Sequence, residues 1–342
     1  MRQSFPMHGS PAPVPSLGRV EYQQLGRTGL QVSRLCLGTM NFGPQTTEDD
    51  SHAIMDRAHE LGINFFDTAN SYGGQKGEGV TEQIIGRWFA KGGGRRERTV
   101  LATKVYSIMG DWPNERRLSA LNIRRAADAS LKRLQTDYID LYQAHHIDRY
   151  TPFDEFWEAM EVLRQQGKIL YVGSSNFAGW HLAKAQEAAR RRNFLGLVSE
   201  QAHYNLLNRL PELELLPAAD DYGISVIPWS PLAGGLLSGV LKKLERGRSG
   251  TDTMLAEVEK HRSKIEEYEA FCAEIGADPT VVALAWLLCQ PAVAAPIVGP
   301  RTMAQLEGAN QVMHTGIDED ALARLDEIFP GPGHAAPEAY AW

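Results

Sequence analysis

Apolar residues recur along this chain in two alternating registers. Short runs dense in β-branched and aromatic residues are each followed by a longer stretch with apolar positions three and four apart. The first register predicts buried strands, the second amphipathic helices. At the start, "YQQLGRTGLQVSRL" reads as a hairpin turning at Arg27-Thr28-Gly29, and "RLCLGTM" as the first core strand. Helix "EDDSHAIMDRAHELG" follows, with Ile54, Ala58 and Leu61 on one face and a stop at Gly62. The alternation then repeats. Strand "INFFDTA" precedes helix "TEQIIGRWFA", "TVLATKV" precedes "SALNIRRAADASLKRL", and "YIDLYQAH" precedes "FDEFWEAMEVLRQQG". Strand "ILYVGSSN" precedes "WHLAKAQEAARRR", and "GLVSEQAHYN" precedes "PELELLPAADDYG". After strand "ISVIPWS" a long charged loop is expected, then helices "KIEEYEAFCAEIG" and "PTVVALAWLLCQ"; "AAPIVGP" and helix "TMAQLEGANQVM" close the series.

Counting from "RLCLGTM", this makes eight strands, each followed by helix, with no break in composition between them. Alternating units of this kind build a parallel sheet, and eight in one domain favour a closed barrel. The predicted fold is α/β: a (β/α)8 TIM barrel behind an N-terminal β-hairpin, with extra loops and helices at its C-terminal face. One domain is expected over 21–330, after a Pro-, Gly- and Ser-rich leader at 1–20 read as disordered and before a tail at 331–342.

Barrels of this kind place their chemistry at the C-terminal strand ends. Those ends read Gly38-Thr39-Met40, Asp67, Lys104, His145, Ser175-Asn176, Gln201, Trp229-Ser230 and Gly299-Pro300-Arg301. Taken singly, Asp67 could cap a helix, Lys104 could snorkel, and His145 with His146 could suggest a metal. The set argues for proton transfer instead, and no further ligand spacing supports a metal. A free phenol has a pKa near ~10, and an adjacent cation lowers it. Lysine in turn needs a carboxylate to stay charged in a closed pocket. Asp67 therefore orders Lys104, Lys104 tunes Tyr72, and Tyr72 gives a proton, while His145 positions a carbonyl oxygen as a neutral donor.

A proton donor of this type needs a hydride partner. No GxGxxG fingerprint is present, since "GEGVTE" fails at its last position. A nicotinamide can nevertheless lie across the rim. Ser175, Asn176 and Gln201 can hold its carboxamide, and Trp229 can stack on its ring. In "SPLAGGLLSG", Ser230, Pro231, Leu232, Gly234 and Leu236 offer small residues and backbone N–H groups to a pyrophosphate. Arg301 suits a 2′-phosphate, hence NADPH; Arg246 and Arg248 are the next candidates. Met40, Asn41, Trp112, His146 and the segment 105–114 bound the substrate pocket, because loops at this face set specificity.

Composition removes several classes. The net charge of −7 argues against a general nucleic-acid or anionic-membrane binder, though not against a local basic pocket. Cys36, Cys272 and Cys289 are scattered, with no zinc or disulfide spacing, which suits a reducing cytoplasm. No apolar run reaches bilayer length. The expected partner is a small carbonyl compound, and homo-oligomer formation is left open.

In "LGTMNFG", "GINFFDTANSYG", "LATKV", "SLKRLQTDYIDLYQAHHID", "GKILYVGSSNF", "SPLAGGLLSG" and "IVGPRTMAQLE" the chain resembles the aldo-keto reductase superfamily, from about Tyr22 to Phe329. The resemblance implies a (β/α)8 barrel and a catalytic set of Asp67, Tyr72, Lys104 and His145. It also implies nicotinamide contacts at Ser175, Asn176, Gln201 and Trp229, and an adenine and 2′-phosphate end near Gly299, Arg301 and Gln305. Many members carry Asn or Glu one turn past the Gln305 position, where this chain has Ala309 and then Asn310. That departure weakens the adenine contact and leaves the hydride chemistry. "YQAHHIDR", "GSSNFAGW", "LLSGVLKKL" and "PEAYAW" are similar to reductases of nucleotide-linked keto-deoxysugars. The superfamily also resembles potassium-channel β subunits, which would imply a slow, redox-sensing module.

Overall fold

The structure, a computed structural model, describes residues 21–245 and 251–341. The leader expected at 1–20, and Arg246 and Arg248, lie outside the described residues. Strands β1 (Tyr22–Gln24) and β2 (Gln31–Ser33) form the antiparallel hairpin. Eight parallel strands follow: β3 (Cys36–Gly38), β4 (Phe65–Asp67), β5 (Val100–Val105), β6 (Ile139–Ala144), β7 (Ile169–Ser175), β8 (Leu197–Gln201), β9 (Ser225–Val226) and β10 (Ile297–Val298). Their order is β10-β3-β4-β5-β6-β7-β8-β9. The ring closes where Ala294 N donates to Val226 O at 2.9 Å and Ile297 N to Pro228 O at 2.8 Å.

Strand alternation sorts the side chains into two shells. Phe65, Val100, Ala102, Leu141, Val198 and Ile227 fill the barrel interior. Phe66 and Leu101 point outward against the helices. Crowding inside is tight enough to demand glycine at Gly173, where an added Cβ would lie 2.6 Å from Ser199 Oγ. The hairpin contributes Leu25 and Val32 to the interior cluster. Gly26, at φ 57° and with Val198 O where its Cβ would go, lets the turn press against the strand starts. One end of the barrel is thus covered, and the C-terminal strand ends form the open mouth.

The helices between strands are α1 (Glu48–Glu60), α2 (Val80–Ala90), α3 (Ala120–Leu134), α4 (Phe153–Gln165), α5 (Gly179–Arg191) and α6 (Leu215–Asp221). Past β9 the structure corrects the sequence reading. The expected charged loop contains α7 (Val240–Glu245), and α8 (Asp252–Glu274) begins at Asp252 rather than Lys264. Thr251 caps α8 through Met254 N, and Val258, Ile265, Tyr268 and Cys272 bury one face. The rest of its surface carries ion pairs such as Arg262 with Glu259 and Glu266, which made the segment read as solvated. Helices α9 (Pro279–Leu288), α10 (Met303–Asn310), α11 (Glu319–Ile328) and α12 (Glu338–Ala341) complete the chain, and α11 was not forecast. Among the described residues no single helix is long and apolar enough to cross a membrane.

Candidate active site

The end of β4 brings Asp67 into the mouth, and the end of β5 brings Lys104 beside it. The Lys104 ammonium is fully buried. Its Nζ donates to Asp67 Oδ2 at 2.6 Å, to Thr68 O at 2.9 Å and to Tyr72 OH at 3.0 Å. Three donors thus meet three acceptors, which an ammonium this far from water requires. Asp67 is as fully engaged, since Oδ1 accepts Gln201 Nε2 at 2.8 Å and Gln143 Nε2 at 3.2 Å. Burial alone would push the Lys104 ammonium down; the Asp67 carboxylate and Tyr72 outweigh it and hold its pKa above the ordinary lysine value.

Tyr72 departs from the sequence expectation. Burial pushes its phenol up and exceeds the lowering by Lys104, and Asp67 opposes Lys104 further. The phenol is therefore a fully protonated donor near neutrality, with an ammonium already in contact with its oxygen. His145 packs edge-on against the Tyr72 ring, with centroids 5.7 Å apart. Burial first, then Lys104 and His146, depress the His145 imidazolium to about 3. The ring is neutral, and its Nδ1 is buried with no partner among the described residues.

The expected nicotinamide set lies beside this cluster, with part of its bonding already engaged. Asn176 sits in the left-handed region at φ 59°. Its Nδ2 reaches His145 O and Ser175 Oγ, both at 3.0 Å, and its Oδ1 accepts Trp229 Nε1 at 3.1 Å. The Trp229 indole stacks on His203, with ring centroids 4.2 Å apart, so one face is covered. Ser175 donates to Gln201 O at 2.9 Å, and Gln201 gives one of its two amide hydrogens to Asp67, leaving the other for a ligand.

The donor set still fits a dinucleotide. Gln143 Oε1, Asn70 Oδ1 and Thr68 Oγ1 are buried near the mouth without partners among the described residues. Ser230 and Ala233 adopt positive φ and, with Gly234, make a turn in which Gly234 N donates to Ser230 Oγ at 3.1 Å. Such a turn presents backbone to an anion. Pro231 is buried and Leu232 half-buried beside it. The Leu236 side chain instead joins Val240, Val258 and Ile265 in a satellite core, so it can offer only backbone. Gly38 abuts β10, where an added Cβ would lie 2.6 Å from Ile297 Cγ2. Thr39 Oγ1 donates to Asp67 O at 2.8 Å. Arg301 is exposed at the start of α10 and makes no ion pair among the described residues, and its backbone N donates to Gln305 Oε1 at 2.7 Å. That bond leaves Gln305 its amide nitrogen and the second lone pair of Oε1 for a ligand.

Of the expected substrate residues, Met40 is exposed, and Asn41 Nδ2 donates to Gly299 O at 2.8 Å. His146 is exposed beside His145, and Trp112 is 77 % exposed on its loop. The sequence reading missed Gln143 and Glu200. Gln143 had a signal: it is a lone amide in an apolar strand, two residues before His145. Glu200, fully buried, accepts Phe177 N at 2.9 Å and the Ser174 hydroxyl, bracing the Asn176 turn from behind.

Comparison with known proteins identifies the family. The profile of the Aldo/keto reductase family matches residues 34–329. "Uncharacterized oxidoreductase YrpG" of Bacillus subtilis (strain 168) is 56 % identical over 94 % of this chain and 100 % of its own. Versiconal hemiacetal acetate reductase of Aspergillus parasiticus is 32 % identical, covering 91 % of this chain and 97 % of its own. "Probable voltage-gated potassium channel subunit beta" of Oryza sativa subsp. japonica is also 32 % identical, covering 82 % and 87 %.

Proposed function

Because the chain belongs to the aldo/keto reductase family and is an oxidoreductase, whose general reaction is carbonyl reduction with a nicotinamide cofactor, we propose that it is an NADPH-dependent reductase of small or medium aldehydes and ketones. The observation that carries the proposal is the Lys104 ammonium bridging Asp67 Oδ2 and Tyr72 OH next to a neutral His145. A nicotinamide, when held by this rim, would supply the hydride that carbonyl reduction needs. Tyr72 gives its phenolic proton to the carbonyl oxygen, completing the alcohol. Lys104, in contact with the phenol oxygen, stabilises the phenolate as its charge develops, and Asp67 keeps Lys104 charged. This is electrostatic support present before the reaction begins. His145 steadies the carbonyl oxygen without competing for its proton.

Ser175, Asn176, Trp229 and the turn at 230–234 would hold the cofactor, with Arg301 on the 2′-phosphate. A charge-assisted contact is worth about 1.5–3 kcal/mol, or on the order of tenfold to a hundredfold in affinity. The protein would act in the cytoplasm, without a nucleic-acid or membrane partner. Following NADPH oxidation against aliphatic aldehydes, aryl ketones, methylglyoxal and a dTDP-keto-sugar tests the reading. Broad activity on the simple carbonyls, with repeated turnover on free cofactor, is expected. Activity confined to the sugar nucleotide would move the substrate class. Single turnover with cofactor that stays bound would remove the enzymatic role.

A further inference from the structure

The loops after β5 and β6 place positive charge and aromatic rings together at the mouth, in a chain whose net charge is −7. Arg117 lies on the first loop and stacks its guanidinium 4.8 Å over the ring of Tyr150 on the second. Its backbone is held left-handed at φ 66°, and its N–H donates to Tyr106 O at 2.6 Å. Tyr106 is the second residue past Lys104, and its ring lies 5.3 Å from that of His146, the residue after His145. The pair is therefore tied by two short links to the proton-donating cluster.

Carboxylates nearby are turned to other partners. Asp148 is buried, accepting Leu118 N at 3.2 Å, Tyr150 N at 3.0 Å and the Thr151 hydroxyl at 2.8 Å. Glu115 accepts Trp112 N at 3.0 Å, and Asp111 pairs with Lys76. Among the described residues, Arg117 makes no ion pair. Asp148 ties both loops to each other and so holds Tyr150 under Arg117. A left-handed arginine costs free energy that surrounding structure must offset, a pattern concentrated at ligand clamps. Arginine stacked on an exposed ring keeps its fork of donors free for a carboxylate or phosphate.

We propose that Arg117, stacked on Tyr150 and joined by His146, is an anion clamp that selects carbonyl substrates carrying a negative group apart from the reacting carbon. The inference rests on the reductase reading above. Two residues of chain put Tyr106 roughly 7 Å from Lys104, and Arg117 lies beyond Tyr106, so a group across an aromatic ring suits the clamp better than the adjacent carboxylate of an α-keto acid.

Initial rates with benzaldehyde, 4-carboxybenzaldehyde and 4-formylphenyl phosphate test it at low and high salt. The wild type should favour an anionic aldehyde over benzaldehyde by about tenfold in kcat/KM, an effect the size of one charge-assisted contact. The stronger of the two anions tells whether carboxylate or phosphate is preferred. Salt at ~0.5 M should weaken the preference, since the clamp is exposed. In Arg117→Glu the ratio of anionic to neutral substrate should fall to one or below. A wild type that reduces all three equally overturns the clamp and leaves the reductase reading standing. Should none be reduced, that reading fails, and binding of terephthalate followed by ligand-observed NMR still decides the clamp. Loss of terephthalate binding in Arg117→Glu supports it, and equal binding by both proteins overturns it.

Discussion

Every proton of the Lys104 ammonium has an acceptor, and that local fact organises the chemistry around it. His145 illustrates the same logic with the opposite charge state. Its imidazolium is depressed to about 3, so the reductase rate should show no histidine titration near pH 6.5. A pH–rate profile with an inflection there, abolished in His145→Gln, would contradict a neutral His145. Glu200 gives a stability prediction. Burial pushes its carboxyl up from 4.5 to about 8, against the lowering by the Ser174 hydroxyl and the backbone N–H groups of Phe177 and Asn176. Between those values the unfolded chain releases the proton and the folded chain keeps it. Stability should therefore fall as pH rises through that window, by up to roughly 5 kcal/mol in total. Glu200→Gln should flatten the decline and raise the urea midpoint at pH 8. Parallel pH dependence in the two proteins would show that Glu200 is not the group responsible.

At the scale of elements, the strands and most helices are legible because their periodicities differ and their ends carry turn residues. The parts that were not legible are α7, α11 and the first half of α8, from Asp252 to Ser263, where ion pairs on an exposed face hide a buried position in register with the rest of the helix. The site shows the same division. Asp67, Lys104 and His145 could be located because each ends a strand, whereas the Glu200 brace lies inside a strand and declares itself only through contacts across the barrel wall. Gly86 on α2 tests whether packing overrides local preference. Alanine is the better helix former by about 1 kcal/mol. Here, however, an added Cβ would sit 2.1 Å from Arg133 O and 2.9 Å from Leu134 C on α3. Gly86→Ala should therefore destabilise, by about 1–3 kcal/mol as for other overpacked sites, in chemical denaturation. An unchanged or higher stability would mean that α2 and α3 are not packed this closely.

At the scale of the molecule, the hairpin covers one end of the barrel, and eight strand ends converge on the other. Residues far apart in sequence thereby meet within hydrogen-bond reach. Gln201 and Asp67, 134 positions apart, are 2.8 Å apart in space. No sequence spacing could have shown that Gln201 already holds Asp67. Cofactor choice belongs at this scale too, because Arg301 stands on the last βα unit, far in sequence from Asp67 and Lys104. Arg301→Ala should weaken NADPH binding by on the order of tenfold or more while sparing NADH, read as dissociation constants by fluorescence titration. Equal loss for both cofactors would assign Arg301 a structural role. The central claim is that Tyr72, poised by Lys104, delivers the proton. Steady-state kcat of Tyr72→Phe on a good aldehyde, with NADPH affinity measured on the same preparation, tests it most directly. The account predicts NADPH binding within a few-fold of wild type and kcat lower by ~10²–10⁴; a wild-type kcat in that variant would contradict it.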